Sequence, residues 1–174
     1  DGAGSFLQSE AFKGTIFEFE TIFHAQKPLN IRTVYKHLGT DEPIGYMRLD
    51  DDTGTFATEY PGIVKEYEAV TRYCGFMSID AGKTMGLSPY GKPNSDIPPM
   101  FRNGFGNRDL FKPNYPNGAY VMDQMHPILI EDMKTRPIDS SDPMYIKTDS
   151  EVGEKGYEWT QVQKDMAYAI QKES

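Results

Sequence analysis

No apolar run in this 174-residue chain is long enough to cross a bilayer, and its first residues lack the basic and apolar regions of a signal peptide. We therefore expect a soluble, cytoplasmic protein without a membrane partner. The chain has one cysteine, Cys74, which excludes an internal disulfide and fits a reducing compartment. Its length is that of one domain.

Positive charge is also scarce, because 18 Lys and Arg residues stand against 26 Asp and Glu residues and leave a formal net charge of −8. A surface built to hold nucleic acid needs the opposite balance. We therefore expect no nucleic-acid partner, while a local basic pocket remains compatible with this composition.

Common catalytic and metal-binding motifs are missing as well. His24, His37 and His126 are too scattered for an H-x-x-x-H or H-E-x-x-H motif, and each is interpreted as a surface or interface residue. No serine lies in a G-x-S-x-G motif, and no pair of carboxylates stands out as acid and base. The acidic stretch 50–52 lacks the ligand spacing of a calcium loop and predicts a solvated turn.

Periodic apolar residues predict both strands and helices. Alternation from Phe17 to Phe23 predicts a strand, joined through a turn at Lys13 and Gly14 to a preceding strand in a hairpin. The pattern then changes, and a short helix is predicted over 30–39, capped by Asn30 and Gly39. Its apolar face would comprise Ile31, Val34, Tyr35 and Leu38.

Two longer helices are predicted further along the chain. One begins near Pro61 and places Cys74 on its buried face, which favours a core residue over a nucleophile. Its stripe is Ile63, Tyr67, Val70, Cys74 and Met77. The other begins after Glu158 and runs close to Ser174, with a stripe of Trp159, Val162, Met166, Ala169 and Ile170. Between them, residues 92–150 predict long ordered loops with one or two short strands, for example at 118–122, as in a functional loop or an insertion.

The stretch IDAGKTMGLSPYGKP, residues 79–93, contains the end of a phosphate-binding P-loop. Gly82, Lys83 and Thr84 fit the pattern G-x-x-x-x-G-K-[ST], but Met77 stands where the first glycine is required. The two later glycines and Pro89 also disfavour the helix of a P-loop, so an irregular loop is predicted from Gly82 to Gly91. An ordinary glycine turn is the simplest interpretation of this stretch and of the opening Asp1–Ser5 turn.

Two longer motifs, one of which overlaps the stretch 79–93, carry more specific information. Residues 67–76, YEAVTRYCGF, followed by residues 82–91, GKTMGLSPYG, resemble the carbamoyltransferases related to the nodulation-factor and antibiotic O-carbamoyltransferases. That family has a helix of the form Y-x-A-V-T-x-x-x-G-F leading to G-K-x-M-G-L-[AS]-x-Y-G. The opening DGAGS is similar to its V-D-G-x-G turn, and the last helix resembles the one that precedes its next nucleotide motif. Residues 94–150 carry no resemblance.

The resemblance implies an α/β fold, namely part of the second lobe of an actin-like (ribonuclease H-like) ATPase that spans residues 1–174. It implies that carbamoyl phosphate and ATP yield a carbamoyl-adenylate, whose carbamoyl group passes to a small-molecule acceptor hydroxyl. Binding roles follow for Gly2, Gly4, Ser5, Gly82, Lys83 and Gly86. Asp1 would ligate a divalent metal, iron or zinc, together with two upstream histidines that this chain lacks. The chain would therefore need the remaining lobe of the same polypeptide and would be inactive alone.

Two other functions fit the sequence. One is a kinase or ATPase of the same actin-like fold that transfers the terminal phosphate of ATP. The other is a catalytically silent interaction module that uses the aromatic loops from Phe101 to Tyr120.

Overall fold

The computed structural model describes residues 6–8, 15–40, 43–111, 113–114, 119–120, 125–136 and 158–174. The architecture is mixed α/β, with one five-stranded sheet and four α-helices in the described part. The sheet comprises β1 (Phe6–Gln8), β2 (Thr15–Gln26), β3 (Asn30–Thr40), β4 (Tyr46–Asp50) and β5 (Thr55–Thr58). The helices are α1 (Ile63–Tyr73), α2 (Ala81–Leu87), α3 (Pro127–Lys134) and α4 (Gln161–Glu173).

The sheet has the spatial order β1-β2-β3-β5-β4, in which β3 and β5 are parallel and the other neighbours antiparallel. The predicted hairpin is confirmed, since Phe6 pairs with Phe17 and Gln8 with Thr15. The turn proposed at Lys13 and Gly14 lies outside the described residues. A solvated turn over 50–52 is also confirmed, with the Asp50 carboxylate accepting the backbone N–H of Asp52 at 2.9 Å.

The helix predicted over 30–39 is wrong, because this segment forms strand β3. β3 pairs with β2 from Asn30 to Thr40 and with β5 from Lys36 to Gly39, so its backbone groups are satisfied by a long ladder rather than by a local helix. Gly39 is an interior strand residue and not a helix cap. A Cβ atom there would lie 1.9 Å from the Phe19 ring, so the glycine lets that ring cover the strand.

His37, interpreted from the sequence as a surface or interface residue, does not lie at the surface. Its side chain is fully buried, with Nε2 2.7 Å from the Thr58 hydroxyl and Nδ1 3.3 Å from the Glu20 carboxylate. Its ring stacks on Phe56 with centroids 5.0 Å apart. The same Glu20 carboxylate accepts the backbone N–H of Ile63, so the network joins the sheet to the start of α1.

The predicted helix after Pro61 is confirmed as α1, but its apolar stripe is buried only in the middle. Val70 and Cys74 are fully buried, whereas Ile63 is 41% and Met77 53% exposed. Burial raises the pKa of the Cys74 thiol to about 12, so the sulfur stays protonated and serves as a core atom.

The main core lies among α1, α3 and α4, and it also takes side chains from the segment 87–111. The predicted C-terminal helix is confirmed as α4, whose first turn has a capping box formed by Thr160 and Gln163. Met166 and Ile170 are fully buried, and Trp159, Val162 and Ala169 pack against the same core. Within the region predicted as loops, the structure adds α3, which the sequence analysis missed. It also has short strand pairs, β6 (Phe101–Arg102) with β7 (Phe105–Gly106) and β8 (Pro113–Asn114) with β9 (Ala119–Tyr120).

A buried ionic network joins α3 to α1. The Asp132 carboxylate accepts hydrogen bonds from the Tyr73 hydroxyl at 2.6 Å and from Arg136 Nε at 3.0 Å. Arg136 also donates to the Tyr73 carbonyl at 2.6 Å and lies over the Tyr73 ring, 4.2 Å from its centroid. All three side chains are buried, so each of these groups depends on the others for solvation.

Glu66, in the first turn of α1, is a second buried carboxyl. Its exposed fraction is 2%, and Oε1 has no hydrogen-bond partner in the described part of the chain. Burial raises the pKa of this carboxyl well above its ordinary value of 4.5. The folded state therefore binds a proton that the unfolded state releases as the pH rises above 4.5.

We expect Glu66→Gln to remove a pH-dependent loss of stability. For the native chain, the free energy of unfolding should fall by up to about 1.4 kcal/mol per pH unit between the unfolded and folded pKa values of Glu66. Below that window both states are protonated and the effect vanishes. Urea unfolding at a series of pH values should show the variant gaining stability over the native chain as pH rises. Glu131→Gln, at a 70% exposed side chain, is the control. Parallel pH profiles for native chain and Glu66→Gln would contradict this account.

Candidate functional site

Residues 81–87 form helix α2, and a 3-10 turn follows at Ser88–Tyr90, so the predicted irregular loop from Gly82 to Gly91 is wrong. Two glycines in the helix cost about 1 kcal/mol each relative to alanine. Tertiary contacts offset this cost. Thr84 is buried and donates to the Thr71 hydroxyl of α1 at 2.9 Å, and Leu87 is buried beside it. Pro89 occupies the start of the 3-10 turn, where a missing N–H costs nothing.

The exclusion of a P-loop agrees with the structure. A P-loop joins a buried strand to a helix, but α2 follows helix α1 through the turns of residues 74–80. Lys83 is the third residue of α2 and lies inside the helix, not at the end of a phosphate-wrapping loop.

Lys83 and Gly86 line an open groove of about 690 Å³, together with Leu87 and Tyr90. Its other wall comes from the far end of the chain, where Glu158, Trp159 and Lys164 lie at and before α4. Phe76, after α1, completes it. The volume falls within the range of small-molecule sites.

Among the described residues, two lysines and one carboxylate line the groove, and a second carboxylate, that of Asp80, pairs with one of the lysines. Lys83 is 41% exposed, with Nζ 3.4 Å from the Asp80 carboxylate and 5.9 Å from the centroid of the Phe76 ring. Lys164 is half-buried and Glu158 is exposed. Both lysines sit at the edge of water and can approach an anion without a large desolvation cost.

Aromatic side chains form the apolar part. Phe76 and Trp159 lie with ring centroids 5.6 Å apart and an interplanar angle of 42°. Trp159 Nε1 donates to the Cys74 carbonyl at 3.1 Å, which fixes the indole, while Tyr90 is 71% exposed. The groove therefore presents the Trp159 ring, which a hydrogen bond fixes, the Phe76 ring, which packs beside it, and the Tyr90 ring, which is exposed to solvent.

Gly91 follows the groove residue Tyr90 and lies directly against α4. A Cβ atom at Gly91 would lie 2.0 Å from the Lys164 carbonyl oxygen, so only glycine lets the 3-10 turn rest on α4. At Gly82 and Gly86, by contrast, a Cβ atom would meet nothing within 4 Å.

We expect Gly91→Ala to destabilise the protein by about 1–3 kcal/mol, because backbone atoms must move to admit the methyl group. Gly86→Ala is the matched control. It should leave stability unchanged or raise it by up to about 1 kcal/mol, since alanine is the better helix former and the space is open. Thermal unfolding of both variants tests this, and equal melting temperatures would refute the close contact.

The structure brings together only part of the predicted site. Lys83 and Gly86 line one groove, whereas Gly82 lies on the same helix but does not line it. Asp1, Gly2, Gly4 and Ser5 lie outside the described residues. Among the described residues, no three His, Cys, Asp or Glu side chains are grouped so as to hold a metal ion. The proposed ligand role of Asp1 stays a prediction.

Sequence analysis missed Tyr90, Glu158, Trp159 and Lys164 as groove residues. Trp159 and Lys164 are more than seventy residues from Lys83 in the chain, and no local pattern links them. The apolar stripe that includes Trp159 was the available signal, but it indicated only a helix face.

Comparison of the chain with protein-family models, with curated proteins and with solved structures gives no match. None of the helices in the described ranges has the length and apolar character of a membrane span.

Proposed function

We propose that this chain is part of a carbamoyltransferase, within one lobe of an actin-like ATPase fold. The observation that carries the proposal is the placement of Lys83 and Gly86. These two residues of the G-K-x-M-G-L motif line a groove with a second lysine and three aromatic rings. The two lysines can bind an anionic ligand, the glycine leaves space for it, and the aromatic rings can stack on a planar ligand.

In the proposed reaction, carbamoyl phosphate is hydrolysed and loses inorganic phosphate. An oxygen of the resulting carbamate attacks the α-phosphorus of ATP and releases pyrophosphate. The acceptor hydroxyl oxygen then attacks the carbonyl carbon of the carbamoyl-adenylate, AMP leaves, and the hydroxyl proton passes to solvent. The role of this chain is to hold the adenylate and offset its negative charge through Lys83.

Positioning explains why the lobe alone would be inactive. Nucleotide, carbamoyl group and acceptor must be held together, and such positioning accounts for several orders of magnitude in rate. This chain would supply one side of the cleft between the two lobes. The proposed metal, iron or zinc, would supply Lewis-acid chemistry through Asp1 and ligands from the rest of the polypeptide. The 174 residues alone should bind it weakly.

The test uses a longer polypeptide that joins this chain to the remaining lobe, supplied with ATP, carbamoyl phosphate and a panel of hydroxyl compounds. Formation of carbamoyl-AMP and pyrophosphate supports the proposal. ADP and a phosphorylated acceptor would identify a kinase instead. Absence of any nucleotide turnover would leave the interaction module as the better hypothesis.

A further inference from the structure

The β2–β3 hairpin extends beyond the rest of the sheet as a two-stranded arm, residues 22–34. β5 pairs with β3 only over 36–39, and β1 pairs with β2 only over 15–17. Within the arm, β2 and β3 therefore have only each other as neighbours among the described strands. We infer that this arm binds along strand β4 of a second copy of the chain, and that the arm of the second copy binds β4 of the first in return.

Both faces of the arm are open to solvent, since every residue from 22 to 32 is exposed. The pairing register places Phe23 and Ile31 on the same face as diagonal neighbours, and the turn adds Leu29. Phe23 is 59%, Ile31 61% and Leu29 84% exposed. A two-stranded ribbon that packs against nothing is only marginally stable in water, so these apolar side chains favour a partner surface.

Strand β4 offers a surface of matching shape. It is an edge of the sheet, and all five of its residues, 46–50, are exposed. One side of β4 pairs with β5, and the other has no strand neighbour in the described part of the chain. Each strand of the arm is also five residues long, 22–26 and 30–34, so about 17 Å of backbone can pair. Strand addition at such an edge satisfies N–H and C=O groups, and β4 also exposes Met47 and Leu49.

Charge favours a second copy as the partner. The arm carries Lys27 and Arg32 and no acidic residue, so its formal charge is +2. The whole chain carries −8, which leaves −10 for the rest. Residues 48–52, at the end of β4, hold three aspartates and one arginine and have a net charge of −2, with Asp51 paired to Arg48. The basic arm and the acidic end of β4 are therefore complementary between two copies.

Neighbouring groups leave this balance unchanged. His24 Nδ1 accepts from Arg32 Nε at 3.4 Å, so the accepting nitrogen carries no proton in this contact. Lys36, at the base of the arm, is paired with Glu18. A nucleic acid would be attracted by the arm but repelled by the −10 of the rest of the chain. A protein surface fits both the apolar residues and the charge.

A two-fold dimer contains the contact twice, since each copy gives an arm and receives one. A ribbon about 17 Å long and about 15 Å across one edge and one face covers about 250 Å² on each side of a contact. Two contacts with two sides each bury about 1,000 Å² in total, which is the lower limit for a specific interface. We therefore expect a dimer that dissociates on dilution.

Analytical ultracentrifugation of the 174-residue chain over a dilution series measures this equilibrium. The mass should approach twice the 19.7 kDa of one chain at high concentration and fall to that value on dilution. Added salt should weaken the dimer, because opposite charges hold part of it. A single-chain mass at every concentration up to about 1 mM would overturn the inference.

Variants at exposed positions then test the contact itself. Phe23→Asp should weaken the dimer about tenfold or more, because a carboxylate would be covered by β4. Arg32→Glu and Asp52→Arg should each weaken it about tenfold, since each brings like charges together. Combined, the two changes restore opposite charges, and the double variant should bind within about threefold of the native chain. Lys134→Glu, the same change of sign at an exposed lysine of α3, is the control and should leave the dimer unchanged.

Three results would overturn the inference even if a dimer forms or the arm binds something else. The first is a double variant no tighter than its two single variants, and the second is an equal loss in Lys134→Glu. The third is a monomer that retards duplex DNA in a mobility assay and loses this binding in Arg32→Glu, which would assign the arm to nucleic acid. None of these measurements uses carbamoyl transfer, so the proposed function and the dimer can fail separately.

Discussion

Replacement of Asp132 by alanine should destabilise the protein by about 3–5 kcal/mol, the cost typical of removing one partner of a buried ion pair. The reason is the state of Arg136, which is 7% exposed and would keep its charge without the carboxylate. The Tyr73 hydroxyl would lose its acceptor at the same time. Burial raises the pKa of that phenol far above its usual range, so it stays a neutral donor. In a protein of this size the change corresponds to a fall in melting temperature of roughly 6–20 °C.

Glu131→Ala provides the control, because Glu131, next to Asp132 in α3, forms an ion pair that is exposed to solvent. Its ion pair with Lys134 is 70% and 60% exposed on the two sides, and such pairs contribute about 0–1 kcal/mol. Chemical unfolding of both variants gives the comparison. Similar losses for Asp132→Ala and Glu131→Ala would show that burial of the network adds nothing.

Under the proposed function, Lys83→Ala should lower carbamoyl-transfer turnover of the longer polypeptide by about 10²-fold, as expected when one preorganised group that stabilises anionic charge is removed. Stability should change little, because Lys83 is 41% exposed and its contact with Asp80 is a surface ion pair. A residue that merely supports its helix would give the reverse pattern, a lower melting temperature and an unchanged rate.

Lys134→Ala is the control for general loss of positive charge, since it removes an exposed lysine from α3. Turnover and thermal unfolding are measured on the same preparations of both variants. An unchanged rate in Lys83→Ala would remove this lysine from the site, and an equal loss in both variants would point to a long-range charge effect.

Local patterns predicted the elements whose partners are near in sequence or whose stripe is long. α1, α4 and the first hairpin belong here. β3 was predicted wrongly as a helix, because its apolar residues Ile31, Val34, Tyr35 and Leu38 fit a helical period. Its structure is decided instead by the ladder to β2 and the parallel pairing with β5. α3 was missed since it is short and lies among proline-rich segments, although Leu129 and Met133 are spaced by one turn.

The candidate site likewise contains residues that local patterns identified and residues that only distant contacts bring together. Lys83 and Gly86 were found because they belong to a contiguous motif, but the helix around them depends on Thr84 meeting Thr71, a tertiary contact. Trp159 and Lys164 join them only through the packing of α4 against the 3-10 turn and α2. Contacts between distant segments leave no periodic trace in a single sequence.

The hydrogen bonds of the Cys74 carbonyl join segments that are synthesised at different times. The carbonyl accepts from Trp159 Nε1 and Gln163 Nε2, which are 85 and 89 residues later in the chain. A ribosome that has made α1 and α2 has therefore produced one wall whose partner is not yet translated. At about 5–20 residues per second, synthesis of the 76 residues from Leu87, the end of α2, to Gln163 takes roughly 4–15 seconds. Until then, the apolar side chains of α1 that pack in the same core as Met166 and Ile170 have no cover from α4.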